Sequence, residues 1–325
     1  MEHHEFYKPV SAKLYNHSPI IFLEIAIREC HNSFDKMQIN YYNIINNRSG
    51  LLNGIIKDNV LIRNCVEELN KMLLDYDIPS SFFNDTVSTH AYKDDGYEML
   101  KNDSLYKKYH AELVTLLLDT AGVNLTEVFV PNISFIKKVI FGEHHESIAE
   151  HANFTFRLRF PRNVLQELSR HRIGVSPSVR STRYTMNEGI KLYEKTTVAL
   201  DIECDRIILV DNFKKWFYDN CGIANEELCL TQYRNFTDSL DTLSDSGIEL
   251  TQDIVKNILP EHWFTSGTYT MNLRALSNLF RLRLMGKHVF QPFANLAVKI
   301  YEELPDDYKK LFDEIEISDN YKKFH

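Results

Sequence analysis

Phe154, Phe156, Leu158 and Phe160 alternate with Thr155, Arg157 and Arg159, and Pro161 follows at once. A period of two sends successive side chains to opposite faces of an extended chain. The stretch therefore predicts a half-buried strand, with an aromatic face that must lie on something apolar and a polar face that stays wet. Pro161 ends it, and Asn163 to Ser169 reads as a helix running into Arg170.

The flanks extend the pattern. Ile133 to Phe141 reads as a helix closed by Gly142, and a turn rich in His and Glu runs from His144 to His151. After Tyr184 the chain is polar, with helices expected around Asn212 to Tyr218 and from Asn225 to Leu243. Ile254 to Leu259 reads as a helical turn stopped by Pro260, and Trp263 to Met271 suits a strand. Asn272 to Arg283 and Phe293 to Leu304 read as helices, the latter with Leu296, Ile300 and Leu304 on one stripe. Ile20 to Ile27 fits a strand followed by a helix, a choice that short apolar runs do not settle. Residues 36–130 are rich in Asn, Lys, Tyr and Leu. Ile62, Cys65, Val66, Leu69, Met72 and Leu73 recur there at helical spacing, as do Leu105, Tyr109, Leu113 and Leu116. That block predicts helices with polar breaks, one of them around Asn84-Asp85.

Length and charge bound the function. A chain of 325 residues with 44% apolar content can bury a substantial core, as one large domain or two small ones. A net charge of -8 argues against a dedicated duplex-DNA binder, but a few local arginines suffice for one phosphorylated small molecule. No run of about 18 apolar residues occurs, so no membrane helix is expected. The N-terminus lacks the order of a signal peptide. Five scattered cysteines without a C-x-x-C pair point to a reducing, cytoplasmic setting and no structural zinc.

Three clusters carry chemistry. Arg170, Arg172, Arg180 and Arg183 crowd with His171, Ser176, Ser178, Ser181 and Thr182 around Gly174 and Pro177, which disfavour a helix. A loop of guanidinium forks, hydroxyls and backbone N–H groups suits phosphate. A solvated basic loop is the alternative. The run His144 to His151 lacks the H-E-x-x-H spacing, so a polar turn lining a pocket, or a structural turn, is expected rather than a metal site. Arg274 and Asn278 share a helix face beside Asn272, with Arg283 and His288 beyond, which fits a ligand-facing or a solvent-facing edge. No glycine fingerprint or P-loop exists for a dinucleotide or nucleoside triphosphate.

Taken in order, these clusters resemble the flavin-dependent thymidylate synthases, the ThyX family. Gly142 to Phe156 is similar to the family's G-H-x-S/T-x-x-E-H-x-x-F-T-F segment, Arg170-His171-Arg172 to Ser181 resembles its R-H-R signature, and Asn272 to Arg283 its N-x-R…L-R helix. The resemblance covers residues 131–310 firmly, the first 35 loosely, and leaves 36–130 as a mainly helical insertion in a single catalytic domain spanning 1–325. It implies an α/β fold of the α+β kind, a twisted, mainly antiparallel sheet flanked by helices. It implies methylation of dUMP to dTMP with methylenetetrahydrofolate as carbon donor, NADPH as reductant and bound FAD, in a homotetramer, without a cysteine nucleophile. Position by position, His145, Ser147, Glu150, Arg170, His171, Arg172, Asn272, Arg274, Asn278 and His288 would hold FAD. Glu167, Arg170, Ser181, Thr182, Arg183 and Lys256 would hold the nucleotide, and Arg283 would contact the pyrimidine and favour its N3-ionised form.

The chain departs from that pattern around the nucleotide more than around the flavin. Eight residues rather than seven separate Arg172 from Ser181, and Val179 stands where the family has a polar side chain. Glu167 replaces a Gln, which asks for a neutralising arginine such as Arg180 or Arg183. Lys256 replaces an Arg and loses its fork, and Val289-Phe290-Gln291-Pro292-Phe293 replaces the usual segment after His288. Besides dTMP synthesis, the sequence leaves open methylation or hydroxymethylation of another pyrimidine nucleotide such as dCMP, and a non-catalytic relative that binds nucleotide or nucleic acid, the last disfavoured by the acidic balance.

Overall fold

The computed structural model describes residues 7–46, 50–78, 95–198, 203–286 and 289–312. The strands are β1 (Ser11–His17), β2 (Gln38–Ile39), β3 (Phe129–Val130), β4 (Asn153–Pro161), β5 (Val175–Val179) and β6 (Phe264–Asn272). The chain divides into two compact units, one of residues 18–152 and one of residues 1–17 with 153–325. No helix among the described residues is long and apolar enough to cross a membrane.

The unit of residues 18–152 is helical. Helices Val60–Asp75 and Ser104–Asp119 bury Ile62, Cys65, Leu69 and Leu73 with Leu113, Val114 and Leu117 in one apolar cluster. The two-residue ladder of β2 and β3 adds Ile39 and Phe129 to it. Asparagines start helices here: the side chain of Asn59 accepts from the N–H groups of Leu61 and Ile62, that of Asn40 from Asn43, and that of Asn124 from Thr126. Each satisfies donors that a helix's first turn leaves unpaired. The break expected around Asn84-Asp85 lies outside the described residues. Ile20 to Ile27 holds no strand; the helix Ile21–His31 occupies it, preceded by β1.

One charged pair is fixed inside this unit. Glu24 Oε1 accepts from Arg28 Nη2 at 2.9 Å, Glu24 Oε2 accepts from the Asn132 N–H at 2.7 Å, and both side chains are buried. The Arg28 guanidinium lies 4.1 Å from the centre of the Phe135 ring. The pair ties the helix Ile21–His31 to Asn132, whose own Oδ1 caps the helix Ile133–Lys137 at Phe135.

That second helix continues as a π turn over Lys138–Gly142, closed by the Glu143 N–H on the Lys138 carbonyl at 2.8 Å. The helical segment ends at Gly142 as expected, and the left-handed conformation falls two residues on, at His144 with φ 60°.

The sheet-bearing unit holds a four-stranded, fully antiparallel sheet in the order β1-β4-β6-β5. Phe154, Phe156, Leu158 and Phe160 of β4 are fully buried with Tyr269 and Met271 of β6. Helices Arg162–Leu168 and Gln291–Glu302 pack on β4. The middle of the arginine-rich segment, expected as a loop, is the edge strand β5. Pro177 is tolerated there because an edge strand uses only one side of its backbone for pairing. A second, aromatic core gathers Phe213, Trp216, Phe217, Phe236 and Trp263 beneath helices Thr182–Val198, Glu203–Asn220 and Glu226–Asp245. Gly189 admits the Trp216 indole, since a Cβ there would stand 2.1 Å from it. The helix expected at Asn212 begins at Glu203, and its buried face is set by tertiary packing rather than by a clean apolar period.

Breaking a buried ion pair strands a charge and costs about 3 kcal/mol or more. Glu24→Ala should lower the unfolding free energy by about 3 kcal/mol in a urea titration. A loss below about 1 kcal/mol would show that Asn132 and Arg28 find other partners.

Candidate functional site

The helix Arg162–Leu168 brings Glu167 to the start of the Arg170 segment. Glu167 Oε1 pairs with Arg170 Nη1 at 2.9 Å, and Oε2 accepts from Arg283 Nη2 at 3.1 Å. The partners of Glu167 are thus Arg170 and Arg283, not Arg180 or Arg183. The phase of two helices decides this: Arg283 is the last residue of the helix Leu273–Arg283, and Arg170 lies three residues past Glu167. The Arg283 guanidinium lies over the Phe293 ring at 4.4 Å, with its side chain only 18% exposed. Its Nε–H is buried without a hydrogen-bond partner among the described residues. Asn163 Oδ1 is orphaned in the same way, one turn before Glu167 on the same helix. Orphaned buried polar atoms are uncommon and call for an explanation such as a ligand.

His171 meets the edge of Phe293 at 5.7 Å between ring centres. Burial holds its imidazole below the usual range; Arg283 pushes the same way and Glu167 opposes. Phe293 joins Arg283 to His171, a role signalled in the sequence only by an aromatic at the start of a helix.

Asn272 is buried and N-caps the helix Leu273–Arg283, its Oδ1 accepting from the Ala275 N–H at 2.9 Å. The Asn272 N–H donates to the Gly174 carbonyl at 2.9 Å. Gly174 sits at φ +70°, and a Cβ there would fall 2.3 Å from Asn272 Oδ1. One asparagine therefore starts the helix that carries Arg283 and holds the turn that follows Arg172. Arg274 and Asn278 lie on the exposed face of that helix, and Asn278 Oδ1 accepts from Arg281 at 3.2 Å. Arg172 is exposed. His288 lies outside the described residues.

A second cluster forms around Asp253, which sequence reasoning missed. Arg183 reaches it with a fork, Nε to Oδ1 at 3.0 Å and Nη2 to Oδ2 at 3.1 Å, and Lys256 Nζ reaches Oδ1 at 2.9 Å. The Asp253 carboxyl is held below its usual range, chiefly by the hydrogen bond from Lys256 and also by Arg183. The three-residue spacing of Asp253 and Lys256 on a helical turn was the available signal. Ser181 directly precedes the helix Thr182–Val198, and Thr182 and Arg183 form its first turn, where unpaired N–H groups favour anions. In both clusters two cations share one carboxylate, so each keeps one net positive charge on groups already held in place.

His145, Ser147 and Glu150 lie in the helical unit, all exposed on the turn that ends in the 3-10 segment Ile148–His151. His145 meets the edge of the His31 ring at 6.4 Å. Among the described residues no three His, Cys, Asp or Glu side chains are grouped to hold a metal ion.

The family model for the thymidylate synthase complementing protein, Thy1, matches residues 99–306. The chain belongs to this family, the flavin-dependent thymidylate synthases. The family is one of enzymes of methyltransferase type. A flavin-dependent thymidylate synthase of Campylobacter jejuni (strain RM1221) is 35% identical over 170 residues, covering 52% of this chain and 73% of that protein. One from Helicobacter pylori (strain ATCC 700392 / 26695) is 29% identical over 175 residues, covering 52% and 76%. A crystal structure of ThyX from Helicobacter pylori with FAD and dUMP shares the fold at TM-score 0.52 and 20% identity, over 94% of this chain and 98% of that one. The family match takes in Glu167, Asp253 and Arg283 together with the signature arginines.

Two measurements probe this geometry. Removing the Glu167 charge withdraws the influence that favours protonated His171, so Glu167→Gln should lower the His171 pKa further. NMR titration of the imidazole reads this, and a rise would show that Arg283 moves away once unpaired. Gly174→Ala places a side chain at positive φ against the Asn272 cap and should cost about 2 kcal/mol in chemical denaturation.

Proposed function

We propose that the chain makes dTMP from dUMP, using methylenetetrahydrofolate as carbon donor and NADPH as reductant. The observation that carries this is the Arg283 guanidinium, nearly buried between Glu167 and Phe293 with one N–H unspent. A fixed, partly desolvated cation with a free donor stabilises negative charge developing on a pyrimidine ring far better than a mobile one in water. Arg283 takes the pyrimidine and favours its N3-ionised form. Glu167 and Phe293 hold that guanidinium in place before substrate arrives, so no reorganisation is needed at the moment of reaction. Ser181, Thr182 and Arg183 take the nucleotide phosphate at the helix start, with Lys256 adding charge across Asp253. The fork of Arg183 rests on Asp253, and a phosphate dianion competes with that carboxylate for it.

The donor set fits a flavin dinucleotide held without a glycine fingerprint. Arg170, Arg172 and Arg274 present exposed guanidinium groups for pyrophosphate, and Asn278 lies on the same helix face as Arg274. His171 is proposed to contact the flavin as a neutral ring, in keeping with its lowered pKa. Asn272 acts by holding the Gly174 turn and the Arg283 helix. His145, Ser147, Glu150 and His288 complete the proposed flavin contacts. FAD held by these residues would supply the hydride-transfer chemistry, with NADPH as reductant. We further propose a homotetramer, with active sites drawing residues from more than one copy, and a cytoplasmic setting. The helical block 36–130 is proposed as an insertion within one catalytic domain.

Glu167 favours the uracil nucleotide over a cytosine one. Each Glu167 oxygen already accepts from an arginine, so the exocyclic amine of cytosine would have to share a carboxylate whose charge is already neutralised. Purified protein should be yellow with flavin absorbance. With NADPH, methylenetetrahydrofolate and nucleotide, dUMP should gain the mass of one methylene unit, a methyl group replacing the C5 hydrogen, while dCMP stays unchanged. Arg283→Ala should abolish turnover with FAD still bound. Turnover of dCMP alone would overturn the substrate assignment, and colourless protein that FAD does not reconstitute would overturn the whole reading.

A further inference from the structure

None of the four strands of the sheet, Ser11–His17, Asn153–Pro161, Val175–Val179 and Phe264–Asn272, contains an Asp or a Glu. The aromatic side chains of β4 fill its buried face, so the register lays out the open face rung by rung. One rung joins Ser11, Arg159 and Ser266, and Arg180 completes it by donating its N–H to the Ser266 carbonyl at 2.7 Å. The next joins Lys13, Arg157, Thr268 and Ser178, and the third Asn16, Thr155, Thr270 and Ser176. Lys13, Arg157, Arg159 and Arg180 line one groove of about 430 Å³ on this face.

No carboxylate lines that groove, and no salt bridge to any of the four cations occurs among the described residues. In a chain of net charge -8 this is an uncompensated concentration of positive charge. The groove is also built. Arg159 is anchored by a hydrogen bond from Nη2 to the Asp219 carbonyl at 3.1 Å and lies over the Phe264 ring at 4.3 Å. Thr265 Oγ1 donates to the Arg180 carbonyl at 3.3 Å, which fixes the backbone there. Neither Glu167, Arg170, Ser181, Arg183 nor Arg283 lines it.

We propose that this groove binds a small oligophosphate, meaning a ligand with two or more linked phosphate groups, at a site separate from the nucleotide and flavin residues. Spacing sets the number of anionic groups. Neighbouring strands lie about 4.8 Å apart, and residues two apart on one strand about 7 Å. Cations distributed over two rungs and three strands exceed the reach of a single phosphate, whereas linked phosphates meet several forks at once. The volume is that of a small-molecule site. Single-stranded nucleic acid would need aromatic faces for its bases, and the one ring in the groove, Phe264, is covered by Arg159.

The test is calorimetric titration of the flavin-loaded protein with tripolyphosphate and with orthophosphate at matched ionic strength. Each charge-assisted bond is worth about a factor of ten. Tripolyphosphate should therefore bind at least tenfold tighter than orthophosphate, with saturating dUMP leaving its affinity unchanged. Lys13→Gln/Arg157→Gln should weaken it roughly tenfold or more, and Arg180→Gln alone about tenfold, with flavin absorbance and dUMP binding retained. Equal affinity of wild type and variants, or displacement of tripolyphosphate by dUMP, would overturn the proposal. So would binding of a single-stranded oligonucleotide through these residues when tripolyphosphate does not bind. A variant that changes the mass of the assembly while tripolyphosphate leaves wild type unaffected would make the face an interface between copies instead.

Discussion

The ladder between β4 and β6 runs unbroken over nine residue pairs, from Asn153 with Asn272 to Pro161 with Phe264, and the site in the sheet-bearing unit depends on it. At about 3.4 Å per residue its eight intervals span about 27 Å. Antiparallel strands end at opposite ends of such a ladder, and each of these two gives way directly to a helix. Arg162–Leu168 follows β4 and packs on it; Leu273–Arg283 follows β6 and packs on that strand. At 1.5 Å per residue, helices of 7 and 11 residues extend about 10 and 16 Å. Turned back over the sheet from opposite ends, they cover the ladder's length between them. Glu167, near the end of one, meets Arg283, at the end of the other. Helix lengths and strand register together bring two residues 116 positions apart into contact.

The contact so placed is poised rather than merely stabilising. An exposed pair contributes little, and a buried one loses much of its Coulomb gain to desolvation. Glu167 and Arg283 sit between those limits, at 24% and 18% exposure. Their arrangement buries a guanidinium edge against Phe293 and leaves the Nε–H unsatisfied. Asp253 does comparable work for Arg183 and Lys256 at an exposed position, where solvent screening makes the pairing easily exchanged. The two carboxylates serve as placeholders of different firmness. One holds its arginine in a largely buried contact, and the other holds its cations at an exposed one.

Local patterns in the sequence carried the local structure. The period of two in Phe154 to Phe160 specified β4 because each side chain's face is set by backbone geometry alone. The spacing of Ile62, Leu69 and Leu73 specified a helix for the same reason. The capping asparagines Asn40, Asn59 and Asn124 were not legible as caps, because a cap and a break differ only in which N–H groups lie within reach. Side-chain pairing across elements was not legible. Arg180 and Arg183 stand close to Glu167 in sequence, yet the β5 edge strand carries Arg180 to the open face, and the following helix turns Arg183 toward Asp253. Arginines adjacent in sequence separate because an edge strand and a helix start aim successive residues in different directions. Glu167 instead found Arg283, whose approach needed the full β6 ladder and its helix.

That separation gives the chain two kinds of positive charge. At Glu167 and Asp253 each pair of cations shares a carboxylate, and the local field is moderate and directed. On the open sheet face four cations stand together with hydroxyls and no acid on any strand. A chain with 45 Asp and Glu against 37 Lys and Arg has ample acid to neutralise such a face. The acids lie instead on helices and turns, as at Glu226 and Glu227, Asp306 and Asp307. Field strength at a surface depends on this local segregation more than on the total. The acidic balance that argues against duplex DNA across the whole molecule is therefore compatible with strong attraction for anions on one face of its sheet.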